Sequence, residues 1–377
     1  MNFRQYTNLT KVVIPERVSL VSDSTNMFLN INNLAIAEIK CDMQNMKSTF
    51  AGAANLISEP YCSKSVVNMY GAYDGCYNLT GSPTCGPNVN SMARAYWACR
   101  NLTGSPVCGP NVTNMYGTYA YCQNLTGSMA ACGDRVTNMA YAYISCYNFT
   151  GSPVCGDGVT NMDSTYYYCF NLTGAPACGP NVIIFTNAYN CCGNLTGTPI
   201  CGVRVTNMRA TYADCRNLTG TPVCGPNVTD MRMAYASCYN LTGNPVCGNS
   251  VVNMYSAYVG CANLVGSPVC GPNVTNMAET YSSCYNLFGN AYFYSDNILN
   301  MSRCFYGRYN TAMLNIYIND GSTSLNKSLI GNSYSLVGAD ITWTNDVATN
   351  GYHYNTYYNI YIYPVENVHN ARIANGE

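Results

Sequence analysis

Residues 66–88 read Val66-Val67-Asn68-Met69-Tyr70-Gly71-Ala72-Tyr73-Asp74-Gly75-Cys76-Tyr77-Asn78-Leu79-Thr80-Gly81-Ser82-Pro83-Thr84-Cys85-Gly86-Pro87-Asn88, and the stretch from Val89 to Asn111 repeats them with few changes. The block returns again and again along the chain. One cysteine column runs Cys76, Cys99, Cys122, Cys146 and onward to Cys284, and a second runs from Cys62 to Cys270. The step is constant except for one inserted residue between Asn124 and Cys132, which marks a surface corner. Looser copies flank the array at Asn8-Leu9-Thr10, Asn33-Leu34, Asn55-Leu56 and Asn310, giving about fourteen coils.

A unit this short cannot bury a core alone, so the repeat predicts a solenoid whose coils cover one another's apolar faces. Met69, Ala72, Tyr73 and Cys76 fall at i, i+3, i+4 and i+7. That spacing predicts a short helix, with Asn68 or its neighbour as the cap. Gly81 to Cys85 reads as a short parallel strand, and Gly86-Pro87-Asn88 as a turn. Strands stacked at about 4.8 Å would make a rod about 65 Å long. The recurrent proline (Pro83, Pro106, Pro153 and their equivalents) cannot donate to a ladder, so any sheet must be narrow. The asparagine column of Asn78, Asn101 and Asn124 is expected to be buried and to satisfy backbone groups from coil to coil.

The pattern Val-Thr-Asn-Met-x-x-Ala-Tyr-x-x-Cys-x-Asn-Leu-Thr resembles the BspA-type leucine-rich repeats, and Asn8-Leu9-Thr10-Lys11-Val12-Val13-Ile14-Pro15 matches that unit more closely still. The main array departs from it, with Tyr for Phe, Met for Ile and Gly-Ser-Pro-Val-Cys-Gly-Pro in place of the strand. The resemblance spans roughly residues 7–320 and implies a right-handed leucine-rich-repeat-like solenoid, one short parallel strand and one short helix per coil, used for binding or adhesion. It carries over no catalytic residue. Three regions are expected: irregular starting coils at 1–60, the regular array at 61–320, and a β-rich capping or docking segment at 321–377. In the last, Asp340 to Thr344 and Tyr357 to Pro364 read as strands, and Asp320-Gly321 and Asn350-Gly351 as turns.

Composition narrows the function classes. The chain has 377 residues, 9% of them charged, and a net charge of −1, which gives no electrostatic case for nucleic acid or an anionic membrane. Both histidines, His353 and His369, lie in the last region, leaving the array without histidine-based chemistry. No apolar run approaches a membrane span. The start, Met1-Asn2-Phe3-Arg4-Gln5-Tyr6, lacks the apolar stretch of a secretory signal, so export by the general route is not expected.

The 23 cysteines admit three readings: regular disulfides, metal thiolates or small apolar core residues. Spacings of nine and fourteen residues match no Cys-x-x-Cys knuckle. The resemblance favours core thiols for the Cys76 column. Asn-Leu-Thr matches a glycosylation acceptor, but a glycan on every coil would not fit a packed inner column.

Columns that stay fixed between copies should hold the stack, and columns that vary should face solvent. The varying positions carry Tyr70, Tyr77, Arg94, Trp97, Arg100, Tyr116, Tyr121, Tyr141, Tyr147, Tyr167, Phe170, Arg209, Arg216, Arg232, Tyr239, Tyr255 and Tyr285. Tyr, Trp, Phe and Arg together have the composition of a recognition surface, and aromatic faces can stack on sugar rings. No catalytic constellation, cofactor motif or metal set is read. The expected function is non-enzymatic recognition of a cell-surface protein or glycan, or of neighbouring virion proteins, by a phage-fibre-like virion part. A bacterial or protist surface adhesin and an intracellular protein-binding scaffold are the alternatives.

Overall fold

The computed structural model describes residues 3–18, 23–127, 133–295, 298–307, 314–319, 342–343, 352–354 and 358–363. The expected turn signals at Asp320-Gly321 and Asn350-Gly351, together with Asn310, Cys132 and His369, lie outside the described residues. The chain forms two compact units, Met1–Leu195 and Thr196–Glu377.

Each unit is built of coils laid in parallel register. Single-residue bridges join Asn45, Asn68, Ser91, Asn114, Asn138, Asn161 and Ile184 in the first unit, and Asn207, Asp230, Asn253, Asn276 and Asn300 in the second. Between bridges the chain does not coil into a helix. The described residues contain no helix at all, which overturns the expected strand-plus-helix leucine-rich-repeat architecture.

The segment from Met69 to Cys76 shows what replaces it. Ala72, Asp74 and Cys76 donate their N–H groups to Met69, Gly71 and Tyr73, closing overlapping four-residue turns. Met69, Gly71, Tyr73 and Gly75 donate instead to Ser91, Ala93, Ala95 and Trp97 on the next coil. Alternate amides therefore serve the coil and the stack. Tyr70 N–H is taken by the Asn68 side chain at 2.8 Å, so Asn68 caps a chain of turns rather than a helix. The first and last of these turns take a left-handed residue at their third position, supplied by Gly71 (φ 58°) and Gly75 (φ 75°) in this coil. An α-helix would bury every amide in its own i−4 bonds and leave nothing to hold the neighbour.

The expected strand is also absent from most coils of the regular array, and β3 is the described exception among its Gly-Ser-Pro-Val-Cys pieces. Strands appear only toward the ends: β1 (Lys11–Ile14) pairs in parallel with β2 (Ile36–Ile39). In the second unit β3 (Val269–Cys270), β4 (Gly289–Phe293), β5 (Leu314–Asn319), β6 (Thr342–Trp343), β7 (Tyr352–Tyr354) and β8 (Tyr358–Tyr363) form one sheet in the order β3-β4-β5-β8-β7-β6. The β3, β4, β5 and β8 pairs are parallel, and β7 is antiparallel to β6 and β8.

The core is a set of columns. Val66, Met69, Tyr73, Cys76 and Leu79 are at most 2% exposed, and their equivalents along the array are buried likewise. Full burial of such side chains contributes about 1.5–3 kcal/mol each. The tyrosine rings stack coil on coil, with centroids 5.5 Å apart from Tyr73 to Tyr96 to Tyr119.

Each ring's hydroxyl does what the proline-bearing piece cannot do by a ladder. Tyr96 Oη donates to Thr84 C=O (2.7 Å) and accepts from Thr84 N–H (3.0 Å). Tyr119, Tyr212, Tyr235 and Tyr258 do the same for Val107, Ile200, Val223 and Val246. Where a true ladder exists the column switches to phenylalanine. The residues twelve positions before Phe50 and Phe305 are Glu38 in β2 and Phe293 in β4. Tyr281 breaks this rule: Val269, twelve positions earlier, belongs to β3, and the buried Tyr281 hydroxyl has no partner.

The inner cysteines are hydrogen-bonding thiols. Cys99 Sγ donates to Tyr73 C=O at 3.1 Å, and Cys122, Cys146, Cys238 and Cys284 repeat the bond to the tyrosine of the coil before. All described cysteines are free thiols. The Asn78 column is not an inner one. It stands at the surface, where the amides of Asn78, Asn101, Asn124, Asn148 and Asn194 each donate to the one before at 3.3–3.5 Å. The leucine that follows fills the core instead, and the short polar side chain turns outward at the corner.

Candidate functional site

The turn chain fixes which side chains face out. The outward side chains come from the two residues after Met, the two after Tyr and the one after the inner Cys, although several residues there, among them Ala93, Ala140, Ile144 and Ser145, are buried. The second residue of each of the first two pairs is left-handed. Glycine would be the unstrained choice there, yet Arg94 (φ 55°), Tyr121 (φ 63°), Tyr141 (φ 59°) and Tyr168 (φ 63°) occupy these places. The left-handed conformation costs a residue with a Cβ roughly 1–2 kcal/mol.

The structure places Tyr70, Tyr77, Arg100, Tyr121, Phe170, Arg209, Arg216, Tyr239, Tyr255 and Tyr285 exposed. Arg94, Trp97, Tyr116, Tyr141, Tyr147, Tyr167 and Arg232 are half-buried.

Many of the first unit's candidates touch across neighbouring coils. The Arg94 guanidinium lies 4.3 Å from the Trp97 ring centroid and 2.8 Å from the Asp74 carboxylate. Trp97 in turn covers Gly117, where a Cβ would meet the indole at 2.6 Å. Tyr121 meets Trp97 edge-on at 5.4 Å, and Tyr116 meets Tyr141 at 5.7 Å. Tyr147 stacks on Phe170 at 5.5 Å, and Tyr167 on Tyr168 at 4.1 Å. Tyr141 Oη donates to Asp163 at 3.2 Å. Burial first, and the Asp163 carboxylate second, push that phenol above its ordinary range. Arg100 lies over Tyr77 at 5.0 Å.

On the second unit Arg216 lies over Tyr239 at 5.8 Å, in the same column as the Arg100–Tyr77 pair. Arg232 makes a two-toothed contact with Asp230 at 2.6–3.0 Å. Arg209, Tyr255 and Tyr285 are exposed on this unit.

The rings thus present edges, hydroxyls and guanidinium groups, because their faces are largely occupied by one another. Stacking of a sugar ring on Trp97, which the composition alone allowed, competes with the Arg94 guanidinium over the ring and with the Gly117 backbone packed against it. Sequence reasoning left four exposed aromatics out of the candidate set, Tyr6, Tyr168, Phe288 and Tyr306, at 53%, 36%, 45% and 41% exposure. Tyr168 and Tyr306 sit in varying columns, after the buried aromatic, so for these two column position was the usable signal. It also put the Asn78 column inside, which hid a row of exposed amides beside the Cys+1 column. Among the described residues no group of three or more His, Cys, Asp or Glu side chains is arranged to hold a metal ion.

No protein-family model matches the chain, and neither a curated protein nor a solved structure matches it.

Proposed function

We propose that the chain is a non-enzymatic recognition scaffold whose outward Tyr, Trp and Arg side chains form the binding surface. The observation that carries this reading is the set of bulky side chains at left-handed positions. Arg94, Tyr121, Tyr141 and Tyr168 occupy columns where Gly71, Gly75, Gly117 and Gly260 serve other coils. Their strain is not offset by full burial, since Tyr121 is 37% and Tyr168 36% exposed. Strain retained at an exposed aromatic points to use rather than packing. The rings are also pre-ordered by their neighbours, which lowers the entropy lost on binding. Display on a virion or another extracellular surface suits such a part. The inner S–H donors require reduced thiols and so fit assembly in a reducing compartment before display.

The test is binding of the purified chain to whole candidate host cells. Tyr121→Ser with Tyr168→Ser should abolish most of that binding with the thermal midpoint retained. Binding left intact by both substitutions, and by Trp97→Ala added to them, would sink the proposal.

A further inference from the structure

One corner of the first unit has a chemistry of its own. The Cys+1 column there runs Tyr77, Arg100, Gln123, and beside it runs the asparagine ladder with Asn101 and Asn124. Thr103 follows on the same outward edge. Asn101 donates to Asn78 at 3.3 Å and Asn124 to Asn101 at 3.5 Å. A carboxamide has two donors and two acceptor lone pairs, so each rung keeps one N–H and one lone pair for an outside partner.

Arg100 differs from the other arginines of the stripe. Arg94, Arg216 and Arg232 each meet an aspartate, whereas Arg100, like Arg209, is in no ion pair among the described residues, and of these two it is Arg100 that lies over a ring. Its guanidinium is held over the Tyr77 ring, so one face is covered and the hydrogen-bonding edge is free. This corner has hydroxyls, amides and one uncompensated cation, with no apolar centre of the kind a protein interface carries.

We propose that this corner binds a linear polysaccharide bearing carboxylates, with one carboxylate on the Arg100 guanidinium and sugar hydroxyls on Tyr77, Gln123 and the Asn101–Asn124 rungs. The inference rests on the recognition reading and narrows its ligand class. Charge complementarity selects the carboxylate, and a planar fork accepts it through two parallel bonds. The uncharged hydrogen-bonding rungs select hydroxyls. Coils joined by backbone hydrogen bonds follow one another at about 4.8 Å, comparable with one sugar unit of an extended chain.

The experiment is affinity electrophoresis of the full chain through gels holding polygalacturonate, alginate or polysialate. Control gels hold the carboxyl-reduced polymers or polyglutamate. At least one acidic polysaccharide should retard the chain, and the carboxyl-reduced form and polyglutamate should not. Arg100→Gln should weaken the retardation about tenfold, with Arg100→Lys recovering only part of it, as loss of a charged hydrogen bond predicts. Retardation unchanged in Arg100→Gln, or equal with carboxyl-reduced polymer or polyglutamate, would overturn the assignment. If no polysaccharide retards a chain that still binds whole cells, the ligand class falls and the recognition reading stands. Failure to bind cells as well would remove both.

Discussion

At the residue scale the tyrosine column shows how one hydroxyl substitutes for a strand. A proline-bearing piece has no ladder partner, and an unpaired buried amide or carbonyl is costly. Tyr235 Oη supplies both bonds to Val223, accepting from its N–H at 3.1 Å and donating to its C=O. Tyr235→Phe keeps the stack and strands those two groups. It should cost about 1–3 kcal/mol in urea unfolding. Tyr281→Phe removes a hydroxyl that already lacks a partner, so it should be neutral or stabilising. Equal losses for the two substitutions would show that the hydroxyl bonds carry no weight. The resemblance to a phenylalanine-bearing repeat noted the Tyr-for-Phe change, but not its reason. That reason lies in backbone hydrogen bonds between residues twelve apart, which side-chain periodicity does not encode.

At the scale of the element the lesson is about periodicity. Met69, Ala72, Tyr73 and Cys76 are all buried, as the helical spacing required. The burial pattern was legible, but the backbone that delivers it was not. Overlapping turns with a left-handed residue at every fourth position put the same side chains inward as a short helix would. Two signals in the sequence did favour turns. Gly71 with Gly75, or Gly117, would weaken a helix by about 1 kcal/mol each. The proline-bearing stretch also left the stack short of backbone bonds, so those bonds had to come from the turn segment.

The left-handed positions make two opposite predictions. Ser237 has φ 59° and is half-buried, and Ser237→Gly should stabilise by about 0.5–1 kcal/mol, read as a rise in the thermal midpoint. Gly220 also has a left-handed φ of 79°, but a Cβ there would lie 2.9 Å from Thr198 Oγ1 and 3.2 Å from its Cγ2. Gly220→Ala should therefore destabilise by more than about 1 kcal/mol. A stabilising Gly220→Ala would contradict the left-handed corner. Column variability pointed to seventeen positions, of which ten are exposed and seven half-buried. The inward placement of the asparagine column failed because an alternating Asn-Leu-Thr does not say which of its polar and apolar sides meets the core until the leucine is seen to fill it.

At the scale of the molecule, stability comes from columns repeated coil after coil, and two consequences follow. The thiols respond together to pH. Burial pushes Cys62 and Cys224 up to about 11, and Cys85, Cys155 and Cys247 up to about 12, from an ordinary value of 9.0. The folded chain therefore holds protons that the unfolded chain releases above about pH 9. Stability from these groups is complete below pH 9 and is lost as pH rises through 11 and 12. The urea midpoint should be flat near neutrality and fall steeply above about pH 9, and a midpoint that rises with pH there would contradict the buried thiol columns. The second consequence is that the period matters more than the residues within it. Deleting 208–230 removes 23 residues and joins Asn207 to Met231, so every column keeps its register. Deleting 208–218 joins Asn207 to Thr219, which sets corner residues over the Met and Tyr columns. Because each coil contacts only its neighbours, stability is close to a sum over coils and interfaces. The full-period deletion should fold with a cooperative melt and a modestly lower midpoint. The half-period deletion should lose that cooperativity, because buried amides would face ring stacks instead of carbonyls. Circular dichroism melts of the two variants decide the matter, and matching melts would mean that the coils are not held in register by their columns.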